Sequence, residues 1–140
     1  MAHYLIVTHK TASAPELRVK VSELIAEDPS AEFGILVPAT PGEGSTWEGE
    51  AIDSSREIAE KLAGTLETTL GAKVTRIATG PEDPLQAITT QLQPGHSYDT
   101  LLICTLPLGA SQWLRFDLVT KAQRKYGLPV IHVVGTVGPD

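Results

Sequence analysis

The sequence predicts an α/β fold, a three-layer α/β/α sandwich around a five-stranded parallel sheet ordered 3-2-1-4-5. Three observations carry this. Short apolar runs alternate with amphipathic stretches from one end to the other, the pattern of parallel strands joined by helical crossovers. Four of the five runs are predominantly apolar, as strands covered on both faces are. The third run, Val74 to Ala78, instead mixes Lys73, Thr75 and Arg76 among its apolar residues and so belongs at a rim. The order 3-2-1-4-5 puts it at one, whereas the flavodoxin order 2-1-3-4-5 buries it.

The elements follow in order. Tyr4 to Thr8 is an apolar run, hence a buried strand. Ser13-Ala14-Pro15-Glu16 has capping-box spacing with a first-turn Pro, and Leu17, Val21, Leu24 and Ile25 supply the stripe of a helix that Asp28-Pro29 ends. Phe33 to Val37 is the second strand, closed by Pro38. The Gly-, Pro-, Ser- and Thr-rich segment from Ala39 to about Glu50 is longer than most such connections, and Trp47 in it reads as a lid, an oligomer contact or a pin to the body. Ser54-x-x-Glu57 is a second capping box, although the helix has a case for starting near Glu48. Its stripe is Ile58, Leu62, Leu66 and Leu70, with Gly71 as C-terminal cap.

After the rim strand, Asp83-Pro84 opens a short helix with Leu85, Ile88 and Leu92, and Pro94-Gly95 closes it. Thr100 to Thr105 is the fourth strand. Leu114, Leu118, Ala122 and Tyr126 mark a helix that Gly127 ends, and Pro129 to Val134 is the last strand.

With 140 residues, the chain reads as a single domain over 1–140. A formal charge of -6 offers phosphate backbones no general attraction, and Lys121, Arg124 and Lys125 read as a solvated helix face, so no nucleic-acid partner is expected. No run reaches membrane-spanning length. The lone Cys104 lies in an apolar strand, as a core thiol in a reducing compartment does, and the opening residues do not resemble a signal peptide; the expected location is cytoplasmic, with no membrane partner.

In the order 3-2-1-4-5 the winding reverses between strands one and four, and open α/β sheets bind ligands outside the carboxyl ends at such a switch point. The candidate ligand-binding residues are therefore Thr8, His9, Lys10 and Ser13, then Pro38, and then Thr105, Gly109, Ser111, Trp113 and Arg115. Hydroxyls, an imidazole and an ammonium beside a helix N-terminus suit an anion. The alternative is an ordinary polar loop with Ser13 as a cap, because no glycine-rich cradle accompanies them. His9 has no partner at metal-ligand spacing, and the sequence supports no metal site.

Ser111 fits a helix cap, since Gly-x-Ser followed by Trp113 is not a nucleophile elbow. Trp113 is read either as core or interface filler or as a stacking platform. His132, inside an apolar strand, reads as a satisfied core histidine or one at a subunit contact. No acid, base and nucleophile set emerges, so no catalytic residue is assigned.

The whole alternating run, with its long segment after strand two and its Gly-Leu-Pro-Val-Ile-His-Val-Val ending, resembles the universal stress protein-like members of the α/β family that includes adenine-nucleotide hydrolases. The resemblance covers nearly the full chain. It implies a homodimer paired through the last strand, Val130 to Val134, and a small ligand at the ends of strands one and four. ATP-binding members carry Gly-x2-Gly, nine residues, then Gly-Ser or Gly-Thr; here Ile103, Leu106 and Phe116-Asp117 stand at those places. The cradle that lets backbone approach a triphosphate is thus missing, and the expectation is a non-catalytic module without cofactor. ATP, another nucleotide or a phosphate ester, with or without hydrolysis, belongs to the alternative reading of the same switch-point site.

Overall fold

In the computed structural model, which describes residues 2–8, 14–38, 48–80, 84–92, 98–105 and 118–135, the chain runs β1 (His3–Val7), α1 (Pro15–Glu27), β2 (Glu32–Pro38), α2 (Glu48–Leu70), β3 (Lys73–Gly80), α3 (Pro84–Gln91), β4 (Thr100–Thr105), α4 (Leu118–Tyr126) and β5 (Val130–Val134). The strands form one parallel sheet in the order β3-β2-β1-β4-β5, as the polar third run required.

Strand alternation sends the central side chains to two separate cores. Tyr4, Ile6, Phe33, Ile35, Val37, Leu102 and Cys104 meet α1 and α2 through Leu17, Val21, Leu24, Leu62 and Leu66. Leu5, Val7, Leu36, Leu101 and Ile103 meet α3 and α4 through Ala87, Ile88, Leu118 and Ala122. Helices on both faces make the sandwich three layers deep. Tyr4 and Phe33, directly paired in the register of β1 and β2, stack with ring centroids 5.4 Å apart.

The helix ends correct two expectations. Ala14, not Ser13, takes the N-cap position of α1 and makes no side-chain cap bond, with Pro15 opening the helix. α2 starts at Glu48, the earlier of the two starts the sequence offered, so Ser54 lies inside it rather than at its cap. A Ser and a Glu three apart satisfy the capping-box spacing anywhere along a helix, and that spacing does not by itself locate a terminus. Gly71 and Gly127 do end their helices, at φ 68° and 65°, the left-handed conformation that suits glycine.

Candidate functional site

The carboxyl ends of β1, β2 and β4 lie on one side of the sheet, and the winding reverses between β1 and β4, which pair directly from Tyr4 beside Thr100 to Val7 beside Ile103. Thr8 follows β1 immediately. Its N–H donates to the Leu36 carbonyl at 3.2 Å and its side chain is fully buried. Thr105 closes β4, also buried, and its carbonyl accepts the Gly135 N–H at 2.8 Å. Pro38 closes β2, and its carbonyl accepts the Ser55 hydroxyl of α2 at 3.2 Å, which ties that helix to the strand end. Thr8, Pro38 and Thr105 are therefore brought to one edge, as expected. His9, Lys10, Ser13, Gly109, Ser111, Trp113 and Arg115 lie outside the described residues, as does Trp47.

Burying a hydroxyl costs free energy unless it is hydrogen-bonded, and at this end of the sheet the bonds go largely to the protein itself. The clearest is one that sequence reasoning missed. Thr105 Oγ1 and His132 Nε2 lie 2.8 Å apart, joining β4 to the last strand. His132 stands beside Ile103 in the register, so its ring and the Thr105 side chain share the face occupied by Leu101 and Ile103. The available signal was the pairing of two short strands, whose register a sequence does not state.

His132 is not the satisfied core histidine that its apolar flanks suggested. Its residue is exposed on β5, and partial burial of the ring still pushes the imidazole below its usual pKa by disfavouring the cation. The same residue, with Val133, borders a groove whose other wall is α1, through Pro15, Glu16, Val19, Lys20 and Glu23.

Chemically this arrangement can hold and orient, with two buried hydroxyls and one titratable ring. Among the described residues no group of three His, Cys, Asp or Glu is placed to hold a metal ion. Cys104 is buried in the core beneath α1 and α2, one residue short of the edge. No helix of the described residues is long and apolar enough to cross a membrane. Compared with known proteins, the chain matches no protein-family model and no curated protein, so the fold and these side chains carry the functional argument.

Proposed function

We propose that this chain is a non-catalytic, universal stress protein-like module that works as a homodimer, pairing with a second copy through β5. The observation that carries the reading is the difference between the two rims of the sheet. The β3 rim carries Lys73 and Arg76 among its exposed residues and an irregular register between Phe33 and Gly34, the devices by which natural edges resist pairing. The β5 rim is Val-Ile-His-Val-Val, without Lys, Arg, Asp or Glu; Val134 is 45% exposed, and Val130 and Ile131 are half-buried. An uncharged, apolar edge strand is what strand addition between copies uses.

The test is mass by light scattering at micromolar concentration, with Val134→Pro as the variant. The ladder to β4 leaves the Val134 N–H pointing away from the sheet, so proline there removes an outward donor without breaking a bond inside the chain. Wild type is expected to run as a dimer and Val134→Pro as a monomer with the same far-UV spectrum. A wild-type monomer overturns the reading.

A second element of the proposal is a small ligand held between the ends of β1 and β4, supported by the buried hydroxyls of Thr8 and Thr105 at the switch point. The nucleotide- or phosphate-handling alternative uses the same place. It requires that ATP, AMP or phosphate raise the melting temperature through binding to the native state, and a flat thermal-shift panel removes it.

A further inference from the structure

Thr105 closes β4 at the edge of the sheet where the winding reverses, and its side chain is buried. Its Oγ1 lies 2.8 Å from Nε2 of His132, a residue that is exposed on β5. One hydrogen bond therefore joins a buried hydroxyl at the mouth to a ring that solvent protons reach. Either end of that bond can donate. A hydroxyl has one proton and two lone pairs; a neutral imidazole has one nitrogen that donates and one that accepts, and an imidazolium donates from both.

With the ring neutral and its hydrogen on Nδ1, the Thr105 O–H donates to Nε2, and Oγ1 offers other groups only its lone pairs. When the ring takes a proton from solvent at Nε2, that N–H donates to Oγ1 instead. The hydroxyl proton must then go to an acceptor other than the ring, and at the end of β4 an oxygen of a bound ligand is such an acceptor. A single proton added at the exposed end of the bond turns Thr105 from an acceptor into a donor, with no change of fold.

We propose that protonation of His132 reverses its hydrogen bond with Thr105 and so switches the mouth of the sheet from favouring ligand groups that donate to favouring oxyanions. This rests on the reading of a small ligand between the ends of β1 and β4, and adds the class it takes and the proton that governs it. Partial burial holds the imidazole below its usual pKa, so the ring is neutral at neutral pH and the switch works on acidification.

The elements packed against β5 are β4, α1 and α4. β4 brings no charged side chain to the ring. From α1, Glu16, Lys20 and Glu23 line the groove that His132 borders, with Lys20 and Glu23 bridged at 3.0 Å. The ionisable side chains of α4 are Lys121, Arg124, Lys125 and Tyr126. The α1 carboxylates favour an imidazolium and the cations of both helices oppose it. Their balance moves the midpoint of the switch and leaves its direction unchanged, because an imidazolium has no nitrogen left to accept.

Side-chain nitrogen NMR of His132 over a pH series reads the reversal, with far-UV spectra marking the range in which the fold holds. Above the midpoint the hydrogen is expected on Nδ1, with Nε2 bare. A hydrogen on Nε2 of the neutral ring overturns the reversal, since the bond would then run the same way in both states. A ring that does not titrate while the fold holds overturns it too.

Sulfate, a dianion throughout this range, reads the ligand class through the backbone amides of Val7, Thr8 and Ile103, at constant ionic strength about one pH unit either side of the midpoint. Wild type is expected to bind at least about tenfold tighter on the acid side, the worth of one hydrogen bond to a charged group. Thr105→Ser is expected to keep that gain, and Thr105→Val, which retains the ring and its charge without the hydroxyl, to lose most of it. An equal gain in Thr105→Val assigns the effect to the imidazolium charge alone and overturns the switch, as does sulfate binding that is indifferent to pH; both leave the small-ligand reading intact. Amides that respond to sulfate on neither side overturn an oxyanion ligand at the mouth, while the nitrogen spectra still decide the reversal.

Discussion

Gly34, in the middle of β2, lies directly under the ring of Tyr98, and substituting it tests how the segment before β4 is seated. A Cβ at this position would collide with Tyr98 Oη and lie 2.9 Å from both Cε1 and Cζ. The ring has little room to yield, because Tyr98 is 8% exposed within the core on the α3 and α4 side and the His3 ring lies 4.4 Å away between centroids. Overpacking of this kind costs about 1–3 kcal/mol, against which alanine regains about 0.5–1 kcal/mol of the chain entropy that glycine loses in a strand. Gly34→Ala is therefore expected to destabilise by about 1–2 kcal/mol net. With a urea slope of about 1–3 kcal/mol per molar, that moves the midpoint down by about 1 M, read by circular dichroism at fixed protein concentration. On a Tyr98→Leu background the obstruction is gone, and the same substitution should cost at least about 1 kcal/mol less. Equal costs in the two backgrounds, or a midpoint that does not fall, refute the reasoning.

Two further outcomes follow from bonds elsewhere in the fold. Arg76 Nε donates to Gln91 Oε1 at 2.9 Å, and Gln91 is 4% exposed, so Arg76→Ala deprives a buried amide of a charged donor and should cost about 1–2 kcal/mol in the same urea assay. An unchanged midpoint would mean that another group satisfies Gln91. Asp28, at the end of α1, accepts from the Ser30 hydroxyl at 2.6 Å, the Ala2 N–H at 2.9 Å and the Ser30 N–H at 3.0 Å, bonds that hold its carboxyl below the usual carboxylate range. A carboxyl depressed on folding stabilises above its unfolded pKa, and the contribution fades as pH falls through the folded one. Asp28→Ala should therefore lower the melting temperature at neutral pH, with the gap closing on acidification. A gap that is constant with pH would show that the charge is immaterial.

The strand order was legible because Arg76 and Lys73 interrupt one apolar run and no other: charge within a strand reports directly on solvent. The stripes Leu17, Val21, Leu24 and Leu62, Leu66 likewise reached the core they imply, since helical spacing and burial express one fact. Terminus signals travelled less well. Ser54 matches a cap and sits inside α2, because a Ser and a Glu three apart meet the capping-box spacing at any place along a helix. For the site, sequence located Thr8 and Thr105 through topology alone, as the ends of two strands flanking a reversal. It missed the bond from Thr105 to His132, separated by 27 positions and set by register. It also missed the anchoring of Ser55 on the Pro38 carbonyl, which depends on where α2 begins.

Thr105 links the two regions that the functional reading treats separately. Its carbonyl takes the Gly135 N–H and so fixes the end of β5, while its hydroxyl faces His132, the central residue of the open edge. The same residue closes β4 at the switch point, where open α/β sheets receive ligands. A hydroxyl offers one proton and two lone pairs, so a polar group arriving between β1 and β4 draws on the same small capacity that holds the imidazole. Releasing the ring frees the orientation of a side chain on β5, the strand through which the proposed homodimer pairs. Under the proposed reading, a ligand at the mouth and a second copy at the β5 edge would be coupled through this one side chain, and linkage would make that coupling reciprocal: whatever the ligand did to pairing, pairing would do to the ligand's affinity by the same factor.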